Sequence, residues 1–328
     1  MTRTPARRRR ALAATAALAT AALLAACSTG SGAQDDGRLQ VLASFYPLQY
    51  VAEQVGGELV SVSNLTPPAA EPHDLELAPA QVRAIGTADL VVYQSGFQAA
   101  VDEGVAQRAP EHVVDATEAA GLEEHPGSAT ADGHEGESAE EHAEHAEHAE
   151  DDGHDHGSLD PHFWLDPTRL AAVGDQVATE LAAVDPDHAA EYQANAAALT
   201  ADLEALDAQY AQALAPCEGA TLVTSHEAFG YLAERYGLEQ VGITGIDPET
   251  EPSPARLREV GDVVRDNGVT TLFFETLTSP KVTQTLADDL GVDAAVLDPL
   301  EGLSDDATDY RGVMETNLEA LTSGLACS

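Results

Sequence analysis

Apolar residues recur in two rhythms along most of the chain. Short β-rich runs at 39–44, 58–66, 88–94 and 112–117 predict four strands, and three- to four-residue apolar spacing at 47–55, 79–86 and 98–107 predicts helices between them. The alternation returns later. Strands are predicted at 219–225, 238–244, 269–275 and 292–298, and helices at 226–236, 254–266, 280–290 and about 306–325. Strands that alternate with helices argue for parallel βα units.

Between the two sets, helical spacing dominates from 167 to 214. Tyr192, Ala196, Leu199, Leu203, Leu206, Tyr210 and Leu214 form one apolar stripe, with Pro186 suited to a first helical turn. A helix over 186–214 would be about 43 Å long, enough to run down a two-domain molecule as a strut. The pattern predicts an α/β protein of two lobes, 38–185 and 215–328. Each lobe is a mainly parallel sheet with flanking helices, and the single long rigid helix 186–214 joins them.

Two segments depart from this rhythm. Residues 1–26 pair a basic start, Arg3 and the four arginines at 7–10, with an uncharged Ala/Leu run too short to span a bilayer comfortably. This is the pattern of a signal peptide. It ends in Leu24-Ala25-Ala26-Cys27, which resembles the bacterial lipobox, so Cys27 is the predicted lipidation site. The expected location is extracytoplasmic, anchored to the cell membrane, with 27–37 as a polar tether. The second departure is 123–158. It carries His125, His134, His142, His145, His148, His154 and His156 among acids, with almost no apolar residue larger than Ala. Such a stretch cannot bury enough surface to offset its ordering entropy, so a mobile loop with weak auxiliary metal binding is expected.

Charge narrows the partners. The chain has 57 acidic and 15 basic residues. Five of the basic ones and none of the acids lie in 1–26, so the remainder carries a formal charge of −47. Such a surface repels nucleic acid and attracts cations. Apart from Cys27, the cysteines are Cys217 and Cys327. Outside the cytoplasm this pair predicts a disulfide. A loop of ~100 residues closed this way stabilises by roughly 4–5 kcal/mol in the chain-entropy model.

Three histidines stand in constrained settings. His162 lies in DPHFWLDP (160–167), between two Asp-Pro pairs that disfavour helix. His73 lies in EPHDLELAP (71–79), and His226 follows a predicted strand in TSHEAFGYL (224–232). Glu275 and Asp298 also sit at the C-terminal ends of predicted strands, the edge where open α/β sheets bind ligands. The expected site is a metal in the cleft between the lobes, held by His73, His162, His226 and Asp298. Glu275 is expected to orient a ligand ring, and Glu71 rivals Asp298 for the fourth place. Three imidazoles and one carboxylate suit four-coordinate Zn(II) better than Mn(II), which prefers more oxygen.

These motifs, together with FFETLTSPK (273–281) and LDPLEG (297–302), resemble the zinc/manganese-binding receptor lipoproteins of bacterial ABC importers, over about 40–325. The resemblance implies two α/β lobes, a rigid connecting helix and a metal between the lobes. It implies ligand roles for His73, His162, His226 and Asp298, and a membrane permease as partner. Relatives of the manganese type tend to have Glu where this chain has His226, and the His-rich loop is similar to that of the zinc branch. A monomeric zinc receptor rather than an enzyme is therefore expected. The alternatives are a manganese receptor, a secreted zinc buffer or adhesin, and, last, a zinc hydrolase. Against the hydrolase, HEAFG (226–230) lacks the second His of HExxH.

Overall fold

The first sheet begins with β1 (Leu39–Ala43), which Val41 anchors between Val62 of β2 (Val60–Asn64) and Leu90 of β3 (Leu90–Tyr93). In the computed structural model, residues 37–124, 159–303, 307–325 and Cys327 are described. The expected signal peptide, Cys27 and nearly all of the tether lie outside them, as do all seven histidines of the 123–158 segment. From Leu39 onward the chain forms one compact unit.

With β4 (Val113–Asp115) the first sheet has the order β2-β1-β3-β4, all parallel. The second repeats that arrangement. β5 (Thr221–Thr224), β6 (Glu239–Gly242), β7 (Thr271–Phe274) and β8 (Asp293–Val296) run in the order β6-β5-β7-β8, again all parallel. Parallel neighbours require crossovers. These are supplied by α1 (Tyr46–Gly56), α2 (Pro79–Ile85) and α3 (Ala99–Arg108) in the first lobe, with α4 (Ala116–Ala120) following β4. In the second lobe they are α7 (Gly230–Tyr236), α8 (Pro254–Asp266) and α9 (Lys281–Leu290). Gly237 and Gly291 stop α7 and α9 with φ of 71° and 72°, left-handed positions that glycine takes without a Cβ penalty.

A pair of long helices follows the first sheet, and the second of them joins the lobes. α5 (Pro167–Val184) starts where DPHFWLDP ends. Asp166 Oδ1 accepts the Thr168 N–H at 2.8 Å, and Pro167 occupies the first turn, where no donor is missed. A 3₁₀ turn at Pro186–His188 leads into α6 (Ala189–Leu214). Its buried residues are Tyr192, Ala196, Leu199, Leu203, Leu206, Tyr210 and Leu214, the stripe predicted from spacing. At 26 residues it is about 39 Å long. One core runs from the inner face of the first sheet across α5 and α6 to the second lobe and α10 (Tyr310–Gly324), and each lobe adds a smaller core on its outer face. A core that continues through the connecting helices stiffens the junction. Cys217, just past α6, is disulfide-bonded to Cys327 at a sequence separation of 110.

Three predicted elements change at their ends. The run 112–117 splits, because Asp115 Oδ1 accepts the Thr117 N–H and opens α4. The helix expected at 226 begins at Gly230, since the Glu227 N–H is drawn across to the Gly245 carbonyl. The terminal helix begins at Tyr310, where Asp309 Oδ1 caps Gly312 at 2.9 Å.

Candidate metal centre

Each lobe sends two side chains to one buried point. His73 comes from the loop after β2 and His162 from the turn before α5. His226 follows β5, and Glu301 follows β8. Their ligand atoms all lie within 4.8 Å of one another. Oε1 of Glu301 is 3.3 Å from Nε2 of His73, 3.2 Å from Nε2 of His162 and 3.3 Å from Nε2 of His226. The last two imidazole nitrogens are 3.4 Å apart. Zinc–nitrogen bonds of about 2.0–2.1 Å, aimed at the corners of a tetrahedron, place donors roughly 3.3–3.4 Å apart. The four separations just given match a tetrahedral edge.

The second nitrogen of two rings is tied down. His162 Nδ1 is 2.8 Å from Asp160 Oδ1, which also accepts the His162 N–H at 2.9 Å. His226 Nδ1 is 2.5 Å from Glu275 Oε1, and Ser225 Oγ bonds the same carboxylate oxygen. Holding Nδ1 leaves Nε2 pointing inward, and a carboxylate partner raises the basicity of the ring as a ligand. Glu71 acts on the backbone instead, its Oε1 and Oε2 accepting the His73 N–H at 2.9 and 3.0 Å. Its carboxylate is 3.9 Å from His73 Nε2 and lines a cavity of about 510 Å³ shared with Ser225, Glu249, Glu251 and Lys281. His73, at 12% side-chain exposure, is the donor nearest to solvent, while His162, His226 and Glu301 are at 0–1%.

Burial and charge work against each other here. Burial acts to lower the pKa of His226, but the Glu275 carboxylate, and then Glu301, outweigh it and raise the ring to about 10. His162 is raised in the same way by Asp160 and Glu301 against burial. Burial would raise Glu301, yet its bonds to His162, His226 and His73 hold it well below the usual carboxylate range. Its second oxygen, Oε2, is buried with no hydrogen-bond partner among the described residues. A buried carboxylate with a vacant acceptor is costly unless a cation compensates it.

The fourth position differs from the sequence expectation. Strand-end position points to Asp298 there, with Glu71 as rival, whereas the carboxylate beside the three imidazoles is that of Glu301. Asp298 spends its carboxylate on the turn that follows β8. Oδ1 accepts the Leu300 N–H at 2.8 Å, and Oδ2 accepts the Thr276 hydroxyl at 2.8 Å. Leu300 has a φ of 60°, and this left-handed step carries the chain round so that Glu301, not Asp298, turns inward. The one sequence signal for Glu301 is that LDPLEG holds two acids on either side of a proline-led turn, either of which can reach a site at the strand end. Asp160 was also missed as a ring partner, although DPH places it two residues from His162.

Comparison with known proteins gives matches over most of the chain. The family model described as zinc-uptake complex component A, periplasmic, matches residues 41–324. The high-affinity zinc uptake system protein ZnuA of Bacillus subtilis is 35% identical over 312 residues, covering 92% of this chain and 94% of the relative. The zinc-binding lipoprotein AdcA of Streptococcus pneumoniae is 35% identical over 306 residues, but the chain spans only 58% of its length. The crystal structure of Zn(II)-bound AdcA from that organism superposes with a TM-score of 0.70 at 32% identity, covering 88% of this chain and 58% of the other.

Proposed function

The chain belongs to the zinc-uptake complex component A family, and from that premise we propose that it is an extracytoplasmic receptor that captures Zn(II) and delivers it to the membrane permease of an ABC importer. His73, His162, His226 and Glu301 hold the ion. Asp160 and Glu275 orient two of the rings.

The observation that carries this reading is the donor spacing of 3.2–3.4 Å around Glu301 Oε1 and the two buried imidazoles. Three nitrogens and one oxygen complete a four-coordinate shell from protein atoms alone. Such a shell holds its cargo without keeping a position for reacting water, which suits a receptor and not a hydrolase. The donor set also favours zinc over manganese as the cargo, since only one of the four groups offers oxygen. The receptor works as a monomer, and lipidated Cys27 anchors it beside its permease.

Metal titration of the chain lacking residues 1–27 tests the cargo and the site together. One tight zinc equivalent is expected, lost in Glu301→Ala and in each His→Ala variant. Tight binding that survives all four substitutions overturns the assignment. Delivery is tested in cells depleted of the gene: the wild-type chain restores growth under zinc chelation, and the Glu301→Ala variant does not.

A further inference from the structure

Glu301 reaches the metal centre from a turn that another helix holds in place. Leu300, the residue before it, is fully buried with a φ of 60°, a conformation that L residues adopt rarely. Nothing in a leucine side chain favours that backbone, so the turn must be imposed from outside. Asp298 Oδ1 accepts the Leu300 N–H, and Trp164 Nε1 donates to the Pro299 carbonyl at 2.7 Å.

The third restraint comes from α10. Asn317 is 2% exposed, on the same buried helix face as Val313, Met314 and Leu321. Its Oδ1 accepts the Asp298 N–H at 2.9 Å, and its Nδ2 donates to the Asp298 carbonyl at 2.7 Å. Both ends of one amide are thus spent on the backbone of one residue. An apolar side chain at 317 would pack in that core equally well but would leave two partly buried backbone groups of Asp298 without this partner. An amide that clamps the first residue of the turn fixes the path to Glu301, three residues later.

We infer that Asn317 is a positioning residue for the metal: by clamping Asp298 it holds the left-handed turn at Leu300 and sets the reach of Glu301, and so the zinc affinity. This rests on the reading of Glu301 as a zinc ligand. Asn317 touches no donor atom itself, so its whole effect runs through the turn.

A double-mutant cycle on the whole chain tests it, with zinc affinity read by competition against a chelator and the apo fold checked by thermal melting. Asn317→Ala is expected to weaken zinc binding about 10–100-fold, the range found when partners of metal ligands are removed. Asn317→Gln keeps both the acceptor and the donor on a longer arm, so its loss should be smaller, and it stands in if the alanine variant fails to fold. In a Glu301→Ala background neither change should weaken zinc further by more than about twofold, because the group being positioned is gone. Wild-type affinity in both Asn317 variants, or an equal loss with and without Glu301, overturns the inference. If Glu301→Ala itself binds zinc as tightly as the wild type, the inference and the zinc-site reading fail together. If Glu301 matters and Asn317 does not, the inference fails alone.

Discussion

Nδ1 of His226 lies 2.5 Å from Oε1 of Glu275, and both side chains are buried. The pair does two things at once. It aims Nε2 at the centre, and it raises the ring to about 10, so the imidazole carries a proton at neutral pH when no metal is bound.

Zinc must displace that proton. Because the apo pKa is raised, apparent affinity should climb with pH throughout the neutral range and level off near pH 10, by about one decade per pH unit for each proton released. Calorimetry at pH 8 in buffers of different ionisation enthalpy should show proton release, and Glu275→Gln should reduce it. The linkage for the apo fold has the opposite sense. Stabilisation from the charged ring is fully present below its unfolded pKa of about 6.5 and is lost as pH rises through about 10. An affinity flat from pH 6 to pH 9 would contradict the proton count.

Removing any one donor should cost orders of magnitude in affinity while leaving the apo fold in place. A ligand at 1,000 times its Kd stabilises by about 4 kcal/mol. A saturating zinc addition should therefore raise the wild-type melting temperature by several degrees and leave His162→Ala nearly unmoved, as differential scanning calorimetry would show.

His226→Glu should move the Zn/Mn preference towards manganese, since it exchanges a nitrogen for a hard oxygen pair. It also sets a carboxylate against Glu275, and two acids at this distance cannot both ionise cheaply. The double variant His226→Glu/Glu275→Gln should recover apo stability and keep the altered ratio. Competition titrations with both metals decide it, and an unchanged ratio would remove residue 226 from selectivity.

Deleting residues 125–156 should leave one tight zinc equivalent, because His73, His162, His226 and Glu301 all lie outside that stretch. Weak additional equivalents carried by its seven histidines should disappear from the isotherm. Loss of the tight equivalent would mean that the segment supplies a primary ligand.

Sequence and structure part company at identifiable places. The stripe on α6 can be read directly, because a helix buries what its period aligns. The parallel units can be read from the alternation of strand and helix. The strand order β2-β1-β3-β4 cannot, since it depends on which crossovers pack together. At the centre, His162 is marked by its flanking prolines and His226 by its strand end, whereas Glu301 is marked only as the second of the two acids in LDPLEG. Its inward turn comes from the φ of Leu300, imposed by Asp298, Trp164 and Asn317 from three separate parts of the chain. Strand-end logic therefore points to Asp298, three residues too early.

His73 and Glu301 meet across 228 residues of sequence. An unfolded chain holds its donors too far apart to act as a chelate, because loop closure would have to be achieved for each of them without a scaffold. The chain thus gains its affinity for the metal only as it folds, when the four donors are brought to one point.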